Sequence, residues 1–454
     1  MAELIAAIAT GLVPCGVGIV RLSGPGAVLA AEQVFHPRGG KALGEYPERR
    51  MVYGEIHDRE GRVIDQGLAF CSRAPHSYTG EETAEIQCHG SPMALTMVLE
   101  ALFAHGARQA GPGEFTKRAF LNGKLDLTQA EAVIDLIDAE TPAAARCAAG
   151  QLEGALSRRV EAVYQGLVDL LAHFHAVLDY PDEDIDPFRQ ELIEGTLEVS
   201  LRALEALLET YERGRQMTYG VPCAIIGRPN AGKSSFLNAL VGYERAIVTD
   251  IPGTTRDTVE ARATLGGVLL RLVDTAGLRK TQDPVEKLGV ERSRAAVAEA
   301  QLVFLLIDGA QPVTAEDEEA MALAETAPYC VVIFNKADLP QSGCQGALSS
   351  RFAHICTVSA ITGDGMDTVR QTVAELFPAG EERQVPLTNP RQFEAAGRAR
   401  ESLLQAKESL GAGYPPDLVL ADVEAALAAL GELTGRTVKE DITDRIFQRF
   451  CVGK

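Results

Sequence analysis

The hydrophobic positions of this chain change rhythm several times, and the changes divide it. Apolar runs at residues 4–8, 18–22, 66–71 and 83–89, with a helical stretch at about 92–105, predict a mixed α/β region through about residue 120. From about residue 121 the texture is rich in Ala, Leu, Glu and Arg. Apolar residues there recur at helical spacing, as at Leu201, Leu204, Leu208 and Tyr211, which predicts long packed helices over 127–213. The same texture returns at 387–410 and 418–433, after the break Phe377-Pro378-Ala379-Gly380. Val438, Ile442, Ile446 and Phe450 then fall four residues apart, on one face of a terminal helix. Between the helical blocks, residues 217–378 alternate short apolar strands with helices. The pattern predicts a multidomain α/β and all-α chain: a mixed N-terminal domain at 1–120, a helical domain in two pieces at 121–216 and 379–454, and an inserted doubly wound α/β domain at 217–378.

Composition narrows this picture rather than changing it. The 454 residues carry 46% hydrophobic and 23% charged side chains, ordinary for a globular chain with several cores. A formal charge of −20 and a pI near 4.9 argue against broad, non-specific nucleic-acid binding, which draws on Lys and Arg. The uncharged segment 4–20 resembles a leader, but Glu3 stands where a basic region belongs, and Gly11, Pro14, Gly16 and Gly18 interrupt the run. It reads instead as two buried strands joined by a turn, with no membrane association. Nine cysteines without a Cys-x-x-Cys pair suggest neither zinc nor a disulfide framework, and a cytoplasmic location is expected. The acidic run Asp182-Glu183-Asp184-Ile185-Asp186 reads as a solvated helix start.

The chemistry begins at Gly227-Arg228-Pro229-Asn230-Ala231-Gly232-Lys233-Ser234-Ser235, between the apolar run 223–226 and the helical start 236–240. A Gly-x4-Gly-Lys-Ser loop in a strand-loop-helix context curls its backbone N–H groups around phosphate oxygens; Lys233 reaches the terminal phosphates and Ser234 offers a hydroxyl to Mg2+. The polar loop Thr249-Asp250-Ile251-Pro252-Gly253-Thr254-Thr255 suits ordering around a terminal phosphate, with Thr255 as the second Mg2+ ligand. Asp274-Thr275-Ala276-Gly277 follows a strand at 269–273; its carboxylate faces the metal's outer shell and the Gly277 N–H the γ-phosphate. Asn335-Lys336-Ala337-Asp338 ends a strand at 330–334. The Asp338 carboxylate can accept from both N1–H and the 2-amino group of guanine, donors that adenine lacks. Ser359-Ala360, after a strand at 354–358, presents a backbone N–H to the guanine oxygen. In this order, each at a strand end, the motifs specify a GTP and Mg2+ site.

The motif order resembles the TrmE-Era-like GTPases, with a Ras-like P-loop G domain. The flanks narrow the resemblance to the MnmE (TrmE) family of tRNA modification GTPases. They are Ile19-Val20-Arg21-Leu22-Ser23-Gly24, Ser77-Tyr78-Thr79-Gly80-Glu81-Glu82, the stretch from Pro112 to Lys124, the stretch from Asp126 to Ala132, and Phe450-Cys451-Val452-Gly453-Lys454. The resemblance covers essentially the whole chain. It implies an N-terminal folate-binding and dimerising domain, hence a homodimer, and a flavoprotein partner, MnmG, in a heterotetramer. With that partner, family members use 5-formyl- or methylene-tetrahydrofolate to add a carboxymethylaminomethyl or aminomethyl group to C5 of the wobble uridine (U34) of tRNA. It further implies K+-stimulated GTP hydrolysis, with K+ held by Asn230, Thr249, Ile251 and Thr254, catalysis by Lys233 and a water-positioning Glu286, and folate contacts at Arg21, Glu85, Lys124 and Lys454. Cys451 reads either as a reactive thiol beside Lys454 or as a packed, inert cysteine on the terminal helix. The segment 10–16 departs from the family's Pro- and Arg-containing turn, and Ile361 stands where a basic residue is frequent. The alternative is a GTP-dependent ribosome-assembly or RNA-binding switch without one-carbon chemistry.

Overall fold

The computed structural model describes residues 3–179, 190–243, 261–273, 286–342, 348–378, 385–437, 443 and 446–454. They form two compact units, one of Met1–Ile134, Gln151–Leu201 and Arg398–Lys454, the other of Asp135–Gly150 and Arg202–Gly397.

The first unit is built on a seven-stranded sheet: β1 (Ile5–Ile8), β2 (Cys15–Ser23), β3 (Phe35–Pro37), β4 (Val52–His57), β5 (Val63–Ser72), β6 (Thr83–Gly90) and β7 (Arg108–Gln109), in spatial order β3-β4-β5-β6-β2-β1-β7. All pairings are antiparallel except β1 with β7. The strands alternate: along β4, Val52, Gly54 and Ile56 turn inward while Tyr53, Glu55 and His57 do not. Helices Ala27–Val34 and Pro92–Ala104 cover the inner face with Val28, Ala31, Leu95, Val98 and Leu102. The helical part of this unit pairs Ala155–Asp179 with Pro416–Thr434. The first helix buries Leu156, Val160, Val163, Leu167, Leu170 and Phe174, an i, i+3, i+4 stripe in which each full burial contributes about 1.5–3 kcal/mol.

The second unit carries a six-stranded sheet: β8 (Val221–Ile226), β9 (Ala261–Leu265), β10 (Val268–Leu272), β11 (Leu302–Asp308), β12 (Tyr329–Asn335) and β13 (His354–Thr357), in order β13-β12-β11-β8-β10-β9. Only the β9–β10 hairpin is antiparallel. Every residue of β8 and β11 is buried, as strands covered on both faces require. Helices Lys233–Tyr243 and Met366–Leu376 lie on one face. Helices Glu286–Glu299 and Ala315–Ala324 lie on the other. The expected fold class is therefore the observed one: a mixed α/β N-terminal domain, helices drawn from separate stretches, and an inserted doubly wound sheet.

Three local expectations are corrected. The helix expected from residue 387 begins at Pro390, because Leu387 N–H donates to Thr210 Oγ1 (3.1 Å) and Asn389 Oδ1 accepts from Arg391 N–H (2.9 Å), with proline supplying a preset φ at the start. The expected face Leu201, Leu204, Leu208, Tyr211 turns at its end: Leu207 is buried in place of Leu208, where the helix Gln190–Leu208 stops. In the 4–20 segment the two strands joined by a turn are present, but only β1 and the later part of β2 are buried: the first three residues of β2 are exposed, Val17 at 54%. The acidic run 182–186 and positions 438 and 442 of the expected terminal helix lie outside the described residues.

Candidate functional site

The carboxyl ends of β8, β11 and β12 meet at one edge of the second sheet, where open α/β sheets bind ligands. β8 ends at Ile226, and the loop 227–232 then needs left-handed backbone at Gly227 (φ 146°), Asn230 (62°) and Gly232 (96°). A Cβ on Gly227 would lie 2.3 Å from the Leu306 carbonyl oxygen, and one on Gly232 would lie 2.1 Å from Asn335 Nδ2, so both glycines are required by close approach. Lys233 opens the following helix and curls back, Nζ donating to the carbonyls of Gly227 (2.7 Å) and Arg228 (2.8 Å). Burial pushes its ammonium below the ordinary lysine value. Ser234, in the same first turn, is half-buried. Its hydroxyl on a helix N-terminus is a hard oxygen donor of the kind Mg2+ takes beside phosphates.

Asn335 joins this loop to the two segments expected to read the base. It is buried; its Nδ2 donates to the Ala231 carbonyl (2.9 Å) and its Oδ1 accepts from the Ala360 N–H (3.0 Å). Asp338 is exposed, and its Oδ1 accepts from Ser359 Oγ (2.7 Å), which fixes the carboxylate's direction while leaving it open to a ligand. Lys336 sits in left-handed backbone (φ 67°) with Nζ 2.7 Å from Asp308 Oδ2. Phosphate loop, Asn335-Lys336-Ala337-Asp338 and Ser359-Ala360 are thus one hydrogen-bonded assembly.

A second constellation lies in the first unit. Arg21 on β2 and Glu85 on β6 are directly opposed, and Arg21 Nε donates to Glu85 Oε1 at 2.7 Å. The guanidinium also lies 5.7 Å from the Tyr78 ring centroid and 5.8 Å from that of Phe115, a cation–π arrangement. Tyr78 Oη and Thr116 Oγ1 are 3.0 Å apart. The end of the chain reaches the same place: Phe115 N–H donates to the Lys454 carbonyl (3.2 Å), Gly113 N–H to that of Cys451 (3.2 Å), and Pro112 bridges Val452. Gly453 (φ 97°) is obligatory there, since a Cβ would lie 2.3 Å from the Ile8 carbonyl oxygen. Lys124 packs its stem on Gly80, where a Cβ would lie 3.3 Å from Lys124 Cγ. Beneath, Glu114 accepts from Arg108 (2.7 Å), Arg118 (2.9 Å) and the Gly111 N–H (2.9 Å). Burial alone would raise the Glu114 carboxyl, but the hydrogen bond from Arg108, with those from Gly111 and Arg118, outweighs it and holds the group at about 2.

Comparisons with known proteins decide the family. Residues 127–451 match the MnmE helical domain, and residues 4–124 match the GTP-binding protein TrmE N-terminus. A tRNA modification GTPase MnmE from Symbiobacterium thermophilum is 44% identical, covering 100% of this chain and 99% of its own. One from Chloroflexus aurantiacus is 45% identical over the whole of both chains. The chain belongs to the MnmE family of tRNA modification GTPases. Era from Aquifex aeolicus bound to GDP.AlF4- is a structural neighbour at 24% identity and a TM-score of 0.27, covering 40% of this chain and 66% of that one.

Of the expected nucleotide-site positions, Asn230, Ala231, Gly232, Lys233, Ser234, Ser235, Asn335, Lys336, Asp338, Ser359 and Ala360 all follow the ends of β8, β12 and β13. Thr249, Asp250, Ile251, Pro252, Gly253, Thr254, Thr255, Asp274, Thr275, Ala276 and Gly277 lie outside the described residues. Glu286 opens the helix Glu286–Glu299, and its side chain is likewise outside them. The Arg21 guanidinium and the Lys454 main chain meet Phe115, Glu85 is paired with Arg21, and Lys124 packs against Gly80 of the 77–82 turn. Cys451 is exposed in an extended tail rather than packed on a helix, which corrects the inert-core reading. Sequence reasoning missed three structural partners: Asn335 as the clasp between loops, Asp308 under Lys336, and the Glu114–Arg118 pair. Glu114 and Arg118 were visible four apart on one helical face, but Arg118's other partner, Glu81 (2.9 Å), is a contact only the fold makes.

Proposed function

We propose that this protein hydrolyses GTP as part of tRNA modification. The observation that supports the reading best is the Asn335 clasp: a phosphate loop and two guanine-reading segments are tied together with Asp338 oriented outward, in a chain that is MnmE-like from end to end. In this reading Lys233 and the loop N–H groups take the phosphates, and Ser234 with Thr255 hold Mg2+. Asp274 and Gly277 face the γ-phosphate, Asp338 accepts from guanine, and Glu286 orients the attacking water. Asn230, Thr249, Ile251 and Thr254 hold K+, whose charge offsets that developing on the leaving phosphate.

The one-carbon step belongs to the first unit. A tetrahydrofolate fits its chemistry, because Lys124 and Lys454 are cations for a glutamyl tail and Glu85 is an acceptor for pterin N–H groups. The chain acts as a homodimer in the cytoplasm, with the flavoprotein MnmG as partner, on C5 of U34. Domain bounds at 120, 216 and 378 go with this assignment. Mass spectrometry of wobble uridines from cells lacking the protein tests it: unmodified U34 is expected, and a normal profile would leave the ribosome-assembly or RNA-binding switch as the better account. GTP turnover in K+ against Na+ tests the cation, and equal rates would remove it.

A further inference from the structure

Asp308 is a buried carboxylate that no motif includes. It is the last residue of β11, in register with Asn335 of β12, and lies one strand over from the end of β8, where the phosphate loop starts. Its side chain is 4% exposed. Oδ1 accepts from the Ala310 N–H (3.1 Å); Oδ2 lies 2.7 Å from Lys336 Nζ and 3.7 Å from Arg228 Nη2. Arg228 belongs to the phosphate loop, and its carbonyl receives the Lys233 ammonium. Its Nη2 donates to Gln311 Oε1 (2.9 Å), and its Nε lies 3.4 Å from Asp317 Oδ1, an ion contact without a hydrogen bond. Asp317 is itself fixed, its Oδ2 accepting from Thr314 N–H (3.0 Å) and Oγ1 (2.9 Å) as a helix capping box.

Two buried carboxylates and two partly exposed cations therefore form a neutral set beneath the candidate nucleotide site. One cation comes from the phosphate loop and the other from the guanine-reading segment, and Asp308 touches both. Loss of the Asp308 charge takes the carboxylate from Lys336 and leaves Arg228 to Gln311 and Asp317 alone, so both cations feel it at once.

We propose that Asp308 is a positioning residue of the nucleotide site, setting Arg228 and Lys336 in one register so that the phosphate loop and the base-reading segment bind one nucleotide together. This rests on the GTP-binding reading. Asp308 acts through Arg228, whose carbonyl holds Lys233, and through Lys336, which belongs to the base-reading segment.

The test uses the full chain and the fluorescent nucleotide mant-GDP. Asp308→Asn keeps the acceptor for Ala310 N–H and removes only the charge. Its mant-GDP dissociation is expected to quicken on the order of tenfold, the scale of one charge-assisted hydrogen bond, with kcat at saturating GTP within about twofold of wild type and KM raised in step. Arg228→Gln is expected to quicken dissociation less, and the double variant to fall short of the product of the two effects. Unchanged dissociation in Asp308→Asn, or strictly multiplicative effects in the double variant, overturns the inference, even if melting temperature drops. If Asp308→Asn fails to fold, Arg228→Gln and Lys336→Gln with their double variant carry the same cycle, and independent effects overturn it. Absence of mant-GDP binding by the wild type would instead fail the GTP reading itself.

Discussion

The two sheets of this molecule bring side chains together in opposite ways. The parallel sheet buries its central strands on both faces, so its polar chemistry is confined to strand ends: Gly227 after β8, Asp308 at the end of β11, Asn335 at the end of β12. The antiparallel sheet is open to alternation, so charged side chains stand on its strands, and Arg21 meets Glu85 across a strand pair. In the first arrangement a site is a set of short local segments, each complete in itself. In the second it is a mosaic of single residues, of which Arg21, Glu85, Phe115 and Lys454 come from four separate stretches. A local segment survives as a recognisable motif, whereas a mosaic leaves isolated charges.

Substitutions at the two sites should diverge accordingly. The largest effect is expected at Glu286→Ala, with GTP hydrolysis reduced on the order of a hundredfold or more and mant-GDP affinity near normal, measured by phosphate release and fluorescence titration. Retained turnover would dismiss Glu286 as the water-positioning group. Asp338→Asn should weaken GTP binding by roughly a hundredfold and strengthen that of xanthosine triphosphate, since the amide presents an N–H where guanine also donates; competition between the two nucleotides reads this directly. Arg21→Gln should weaken tetrahydrofolate binding on the order of tenfold and leave GTP turnover within about twofold, because it removes the cation at the centre of the mosaic and nothing from the strand-end site. A parallel loss of both activities would erase the contrast between the two sheets.

The smallest expected effect is structural. Glu114→Gln removes the carboxylate shared by Arg108 and Arg118 and should cost about 2 kcal/mol of stability near neutral pH, after allowance for solvent screening. The sign of the pH dependence follows from a folded value of about 2, below the ordinary 4.5. Glu114 contributes fully above the unfolded value, and its contribution fades as pH falls from about 4.5 towards 2. Thermal melts of wild type and Glu114→Gln at neutral pH and near pH 3 should therefore converge at the lower pH. A constant gap would separate Glu114 from the acid response.

Sequence alone determined the candidate nucleotide edge because its physics is local. A glycine that must take positive φ, a lysine one residue later and a strand before both are consequences of chain geometry within ten residues, so Gly227, Gly232 and Lys233 announce themselves. Helical stripes such as Leu156, Val160, Val163 and Leu167 are legible for the same reason, since their period is set by the backbone. Tertiary structure decided which charges share a partner. Asp308 between Arg228 and Lys336, Asn335 between Ala231 and Ala360, and Lys454 against Phe115 each depend on strand order or on where the chain end is tucked. A buried ion pair or hydrogen bond leaves no periodic trace in sequence, because its geometry is fixed by packing between segments rather than within one.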